Sequence, residues 1–391
     1  MKLDTRAIRY LTGEDWRVLT AAEMGSKNHE VVPTPLISQI SGLRGASGVN
    51  RSISNLAKVG LIAKVKNAKY DGYRLTYGGL DYLALNTFIK RKSVYSIGNQ
   101  VGVGKESDIY VVADESGKQI ILKIHRLGRI SFRTVKANRD YLRNRNSASW
   151  MYMSRLAAMK EFAFMKILKD NGFPVPTPLD QARHCVLMEL IDSYPLRQVT
   201  SIADPPKLYA DLMALILQFA SQGLIHGDFN EFNILVNEET QQPVVIDFPQ
   251  MVSIDHANAK EYFDRDVQCI KTFFERKFKF VSDDEGPTWD DVKRTGKLDI
   301  EVEASGFSKK QAKELDKYLQ QITQLGEREG NEAGGDVSAE DEDEDGDEGE
   351  GEPEQGSDAE EEEVEDEHSN LSKNSHEMKN EADPRAPRSG V

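Results

Sequence analysis

The strongest constraint on this chain is a pair of short motifs near its middle. His226-Gly227-Asp228-Phe229-Asn230-Glu231-Phe232-Asn233 is followed by Val244-Val245-Ile246-Asp247-Phe248-Pro249. Asp228 stands five residues before Asn233, and Asp247 lies 14 residues after Asn233, at the end of an apolar run. Two strand-like segments, Ile234–Val236 and Val244–Ile246, bracket a polar turn. Phosphoryl transfer needs one carboxylate to orient or deprotonate the attacking group, and oxygen ligands for a magnesium ion that bridges the phosphates. Asp228 suits the first role, and Asn233 and Asp247 suit the second. Either aspartate alone would read as a loop cap.

Upstream residues complete the pattern. Gly102-Val103-Gly104-Lys105-Glu106-Ser107 joins two strand-like segments, and its glycines would let backbone amides approach phosphate oxygens. It is neither a Walker A sequence nor a full Gly-x-Gly-x-x-Gly, since Ser107 takes the third position; alone it reads as a tight turn. Lys123 lies inside the apolar run Ile120–Ile124. A lysine there is costly to bury without an anionic partner. In protein kinases the strand after a Gly-rich loop carries a lysine that holds the nucleotide phosphates and pairs with a helix glutamate. Glu161 is the only acidic residue in the periodic helix Ser154–Lys169 and is the expected partner. The competing reading is a strand-edge lysine whose amine reaches solvent. Gly-rich loop, lysine, glutamate, His-x-Asp-x4-Asn and strand-Asp-Phe in this order are improbable by chance.

The rest of the chain divides around this core. Residues 1–92 read as a small helical module. Helices are expected at Glu14–Met24 (Thr12 as cap), Leu36–Ser41, Ser52–Val59 and Gly78–Phe88, with a hairpin from Leu61–Lys66 and Tyr70–Thr76. That order is the order of a winged helix-turn-helix. Strand-like runs follow at Val94–Val101, Ile109–Ala113, Ile120–Ile124 and Cys185–Ile191, with a rigid linker at Pro174–Pro176 and a long helix at Leu208–Gln222. Strands first and helices after indicate a two-lobed α+β domain.

Of the 391 residues, 39% are hydrophobic, enough for a substantial core, and the net charge is −15. That charge is unevenly placed. Residues 331–370 hold 21 acidic residues and no lysine or arginine, whereas residues 51–150 carry 19 basic and 7 acidic residues. Residues 326–391 are therefore expected to be a disordered acidic tail. It serves either to keep the protein soluble or to compete with nucleic acid for a basic face. Arg44, Arg51, Lys58, Lys64, Lys66, Lys69 and Arg74 fall on the expected third helix and wing, the elements that meet nucleic acid in such folds. A solvated basic face used for protein docking is the alternative. The densest apolar run, Leu212–Leu217, is too short to span a bilayer, and MKLDTRAIRY has no signal-peptide core. Two cysteines, Cys185 and Cys269, support neither a disulfide framework nor a cysteine zinc site and fit a reducing compartment.

With these motifs in view, the chain resembles the RIO family of atypical protein kinases, within it the subfamily with an N-terminal winged helix. The likeness covers about residues 1–325 and leaves out the acidic tail. It implies a winged helix over 1–92 and a truncated kinase-like domain over 93–325. Within that domain the N-lobe would span 93–187, the hinge 188–192 and the C-lobe 193–325. ATP and Mg2+ would bind between the lobes. Matching positions place Val101, Gly102, Gly104, Lys105, Glu106 and Ser107 in the phosphate loop, with Lys123 and Glu161 behind it. Met188 is the gatekeeper, the backbones of Glu189 and Ile191 face adenine, and Ile246 closes the ring site with Val101. Asp228 is catalytic, Asn233 and Asp247 bind metal, and Asp247 is itself a candidate phosphoacceptor. Gly227 stands where ordinary kinases have arginine, Pro249 replaces a glycine, and no Ala-Pro-Glu follows. Control through a phosphorylated activation loop is not expected, and little chain remains for peptide-binding helices. Residues 127–150 form a basic insertion with Arg129, Arg133, Lys136, Arg139, Arg143 and Arg145, which meets RNA or is a solvated loop.

The resemblance implies a monomeric factor in late maturation of the small ribosomal subunit, with the pre-ribosomal particle, pre-ribosomal RNA and assembly factors as partners. It would act in the cytoplasm after shuttling through the nucleus, away from membranes. Three functions compete: an ATPase switch that governs release, a Ser/Thr kinase acting in trans, and a nucleic-acid-binding factor with a structural nucleotide site. Ser308–Leu325 is either a helix packed on the kinase lobe or a nuclear export signal.

Overall fold

The computed structural model describes residues 3–65, 71–127, 147–237 and 239–304, with 311, 314–316 and 319; side chains of 147–149 are not included. Helix α1 (Gly13–Ser26) starts from a capping box in which Thr12 and Asp15 exchange side chain-to-backbone hydrogen bonds. Helix α2 (Thr34–Ser41) opens with Pro35 in its first turn and stops at Gly42 in the left-handed conformation. Helix α3 spans Ala46–Lys58 and buries Val49, Ile53 and Leu56 at helical spacing. It begins six residues before the expected Ser52; with no side chain capping its start and with the weak helix formers Ser47 and Gly48 in its first turn, the sequence carries no start signal there. Strands β1 (Val32–Pro33), β2 (Ile62–Val65) and β3 (Gly72–Leu75) form an antiparallel sheet in the order β1-β3-β2. Helix α4 (Tyr77–Lys90) closes the winged helix.

Helix α4 also belongs to the next unit. Its Leu80, Tyr82 and Leu83 pack with Val18, Leu19 and Leu56 in the winged-helix core. Its Ala84, Leu85 and Phe88 pack with Leu122, Ile124 and Leu187 of the following sheet. That sheet is antiparallel, in the order β4-β5-β6-β8-β7, from β4 (Ser96–Val103), β5 (Ser107–Ala113), β6 (Gln119–His125), β7 (Pro178–Ala182) and β8 (Cys185–Glu189). The segment expected to be only a rigid linker thus leads into an edge strand. An edge position tolerates Pro178, whose missing N–H would break an inner ladder. Helix α5 (Ser147–Asp170) packs on β6 and β8.

The second lobe is mostly helical. Helix α6 (Pro205–Ser221) is capped by Asp204, whose carboxylate accepts from the Lys207 amide at 3.0 Å. Strands β9 (Tyr194–Pro195), β11 (Ile234–Val236) and β12 (Pro243–Val245) form one small sheet, and β10 (Leu224–Ile225) pairs with β13 (Val252–Ser253). Helices α7 (Ala259–Phe278) and α8 (Leu298–Ala304) follow. Phe219, Phe229, Phe248, Phe263 and Phe274 fill the core between them.

The chain then returns to α5. Leu315 is fully buried against Leu127, Leu156 and Ala157, and Asp316 accepts from the buried Lys160 amine at 3.1 Å. Leu315 therefore packs on the kinase lobe, as one of the two readings of 308–325 holds; Ile322 and Leu325 lie outside the described residues. Among the described residues no helix is long and apolar enough to cross a membrane.

Candidate active site

Strand β6 and helix α5 build the first half of the site. Lys123 projects from β6 with its amine 2.7 Å from Glu161 Oε1 and 2.9 Å from Asp247 Oδ1. The pairing expected across 38 residues is present, and the snorkelling alternative is excluded because Lys123 is buried. Burial opposes the charge on Lys123, but Asp247 and Glu161 outweigh it and push the amine above its ordinary range. Burial likewise opposes the Glu161 carboxylate; Lys123 and His125 override it and lower its pKa to about 2. His125 supplies the second contact, with Nε2 2.6 Å from Glu161 Oε2.

The loop between β10 and β11 builds the other half. Asp228 accepts hydrogen bonds from Asn230 Nδ2 (2.8 Å), Asn233 Nδ2 (2.9 Å) and Gln250 Nε2 (3.2 Å). Asn233 also donates to the Asp228 carbonyl, which ties the two ends of the Asp-x4-Asn segment together. The Ile246 amide donates to the Asn233 carbonyl at 2.9 Å and places Asp247 beside this loop. Asp247 has φ 70, a left-handed conformation unusual for a non-glycine residue. Gly227 has φ +76, and a Cβ there would sit 3.0 Å from the Gln250 carbonyl oxygen. Backbone geometry thus demands the glycine that replaces the arginine of ordinary kinases.

Asp266, on α7, carries this loop from beneath. Its carboxylate accepts from the Gly227 amide at 2.8 Å and the Phe229 amide at 2.9 Å, while Arg265 donates to the Gly227 carbonyl. His226 is buried and donates to the Ile246 carbonyl at 3.3 Å; burial lowers its pKa to about 4. Sequence reasoning missed Asp266 and His125. The available signals were an aspartate among Phe263, Val267 and Ile270 on one helix face, and a histidine two residues after Lys123 on the same strand face.

Two cleft carboxylates, Asp228 and Glu106, are incompletely offset by the cations near them. Burial, then Asp247, raises the pKa of Asp228 to about 6. Burial, then Asp247 and Asp228, raises that of Glu106 to about 7. Such an excess suits a divalent cation. Asn233 turns its Nδ2 to Asp228, which leaves its carbonyl oxygen, the atom a hard cation takes. The donor set therefore fits magnesium at Asn233 and Asp247.

The other expected residues are placed as follows. The Gly104 amide donates to the Ser107 carbonyl at 2.7 Å, so this loop is also the tight turn of the plainer reading. Gly102 and Val101 lie in β4, Val101 59% exposed, and Lys105 is exposed. Met188 pairs with Ile121 across the sheet. The Glu189 amide donates to the Thr177 carbonyl at 2.9 Å, which leaves only its carbonyl for the expected backbone contact to adenine. Ile191 and Ile246 are half-buried. Arg44, Arg51, Lys58 and Lys64 are exposed on α3, the turn before it and β2, far in sequence from the cleft residues; Arg51 pairs with Glu14 and Arg74 with Glu30. Lys66, Lys69, Arg129, Arg133, Lys136, Arg139, Arg143 and Arg145 lie outside the described residues.

Comparisons with known proteins agree with this architecture. The family described as "Rio2, N-terminal" matches residues 8–91, and the RIO domain family matches residues 108–285. The serine/threonine-protein kinase Rio2 of Schizosaccharomyces pombe is 62% identical over 324 residues, 82% of this chain and 93% of the relative. That of Saccharomyces cerevisiae is 55% identical over 333 residues, 79% of this chain and 78% of the relative. The crystal structure of the Chaetomium thermophilum Rio2 kinase as an ADP/Mg2+-phosphoaspartate complex is 65% identical, with a TM-score of 0.77 over 84% of this chain and 100% of that one. The winged helix, the two lobes and the paired lysine and glutamate thus have a common explanation, and the chain belongs to the Rio2 family of RIO-type serine/threonine-protein kinases.

Proposed function

We propose that this protein is an ATP- and Mg2+-dependent ATPase switch of the small ribosomal subunit's late maturation, and that turnover releases it from the pre-ribosomal particle. The observation that carries the catalytic part is Lys123, which bridges Glu161 and Asp247 at 2.7 and 2.9 Å beside Asp228, whose carboxylate accepts three hydrogen bonds. In this reading Lys123 exchanges its bond to Asp247 for nucleotide phosphate and stays anchored to Glu161. Magnesium at Asn233 and Asp247 would supply charge neutralisation on the phosphates. Asp228 orients the attacking group, and its raised pKa brings it toward the range of a proton acceptor at neutral pH.

The Asp247 carboxylate is the second candidate participant. The phosphoaspartate named for the Chaetomium thermophilum relative supports Asp247 as acceptor of the γ-phosphoryl group, with water completing hydrolysis. Exposed Arg44, Arg51, Lys58 and Lys64 on one module support an RNA-bearing partner. The protein would work mainly in the cytoplasm after passage through the nucleus.

The test is Asp228→Ala, with ATP binding, ATP hydrolysis and retention on pre-ribosomal particles measured together. Preserved binding, lost hydrolysis and prolonged retention are expected. Normal release despite lost hydrolysis would overturn the switch.

A further inference from the structure

His125 has no assigned role, yet it shares the carboxylate on which Lys123 depends. We infer that His125 is a positioning residue for phosphoryl transfer, holding Glu161 Oε2 so that Glu161 keeps Lys123 aligned when the lysine moves from Asp247 to nucleotide. The inference rests on the reading of the cleft as an ATP site.

The geometry is built from one strand and one helix. Lys123 and His125 alternate on β6, so both side chains leave the same face. They meet Glu161 from α5 at 2.7 and 2.6 Å, one on each carboxylate oxygen. All three side chains are almost completely buried. Glu161 is ionised and can only accept, so His125 Nε2 carries the hydrogen and donates. The His125 backbone is fixed as well, its amide donating to the His184 carbonyl at 2.9 Å. The next residue, Arg126, donates its amide to the Glu106 carbonyl of the Gly-rich loop at 2.6 Å.

The consequence follows from the division of donors. Lys123 has three N–H groups, and two already point at Glu161 and Asp247. A phosphate oxygen competes for this amine. Held only by Lys123, the Glu161 carboxylate could rotate with it, leaving Oε2 buried without a donor. With His125 in place the carboxylate plane is set by the strand itself. The lysine then changes its anionic partner without losing its anchor. His125 contacts no reacting atom in this scheme, so it acts through Glu161.

Two glutamine-like substitutions separate this role from simple packing. Glutamine places its amide N–H near the position of imidazole Nε2, whereas asparagine reaches only the region of Nδ1. Steady-state ATP hydrolysis, ATP binding and thermal unfolding are to be measured for the full chain and for His125→Gln, His125→Asn and His125→Leu. The expected result is a kcat lowered by about 10-fold or more in the Asn and Leu variants, with a smaller change in ATP affinity. His125→Gln should recover to within about 3-fold of the parent. If the Leu variant does not fold, the Gln–Asn pair decides alone. Equal kcat in folded Gln and Asn variants, or a parent-like Leu variant, would overturn the assignment. A parent chain that turns over no ATP would instead overturn the reading of the cleft.

Discussion

Two buried ionic networks leave the same strand, and they differ in what they are open to. Lys123 and His125 face the cleft, where Glu161 is buried but Asp247 is 38% exposed at its side chain. Arg126, next in sequence, enters a closed network. Its guanidinium forms two 2.7 Å bonds to Asp81 of α4 and one of 3.0 Å to Asp108 of β5, and His184 adds a 2.8 Å contact to Asp81. Every side chain there is at most 3% exposed. Apart from Glu161, which Lys123 and His125 hold low, the shifted carboxylates on the cleft side move the opposite way from Asp81. Burial opposes ionisation of Asp81, but His184 and Arg126 prevail and hold its carboxyl below the ordinary range. Asp228 and Glu106 are held above it. The closed network fastens the winged helix to the first lobe, and the open one keeps uncompensated carboxylates beside the solvent-accessible Asp247.

The largest expected effect breaks the open side without harming the fold. Asp228→Ala should reduce ATP hydrolysis by about 10²- to 10⁴-fold, the range of a lost acid–base group. Its unfolding free energy should stay within about 1 kcal/mol of the parent, because removing a carboxylate with a raised pKa relieves the native state. Lys123→Ala should weaken or misalign ATP binding; unchanged affinity and turnover would show that the lysine is not at the nucleotide.

The closed side should behave in reverse. Arg126→Ala leaves Asp81 and Asp108 buried without their shared cation, and denaturant unfolding should show a loss of about 3–5 kcal/mol. A stable variant with lost turnover would erase the distinction between the two networks. Asp316→Ala is a milder case, since Asp316 is partly exposed while Lys160 is buried. A loss of about 1–3 kcal/mol is expected.

A pH series sharpens the contrast further. Asp228 has a native pKa of about 6 against an ordinary 3.8, so between these values the folded state binds more protons than the unfolded one. Its contribution to stability therefore falls as pH rises through that window. The stability of Asp228→Asn relative to the parent should increase from pH 4 to about 6 and level off above, as read by urea unfolding. A constant difference would remove the evidence for an uncompensated carboxylate. The smallest effect concerns the surface. Reversing Arg44, Arg51, Lys58 and Lys64 should weaken RNA binding and flatten its salt dependence by about one unit per lost phosphate contact. An unchanged slope would assign this face to another partner.

The sequence made the open network largely legible, because charged residues inside apolar periodic segments are conspicuous. Lys123 in a strand and Glu161 as the lone acid of a helix could be joined without any coordinates. Asp228, Asn233 and Asp247 could be grouped by spacing. His125 was hidden because a strand histidine is ordinarily read as core. Asp266 was hidden because its helix mixes many charged residues with its buried Phe263, Val267 and Ile270, so one aspartate among them does not stand out. The closed network was illegible for a different reason. Asp81 and Arg126 are 45 residues apart and sit in modules that the sequence separates, while helix α4 serves the cores of both. Strand β7 was masked by Pro178 and the two prolines just before it, and an edge position accommodates Pro178.

The central claim is that the open network performs a phosphoryl-transfer cycle ending in hydrolysis. The most direct measurement is to incubate the full chain with γ-labelled ATP and Mg2+, trap it in denaturant and locate hydroxylamine-labile phosphate by mass spectrometry. The account expects label on Asp247 that disappears in Asp247→Asn and is lost with time in the parent as phosphate is released. Steady ATP hydrolysis with no acyl phosphate at Asp247, or label passing only to an added protein substrate, would contradict it.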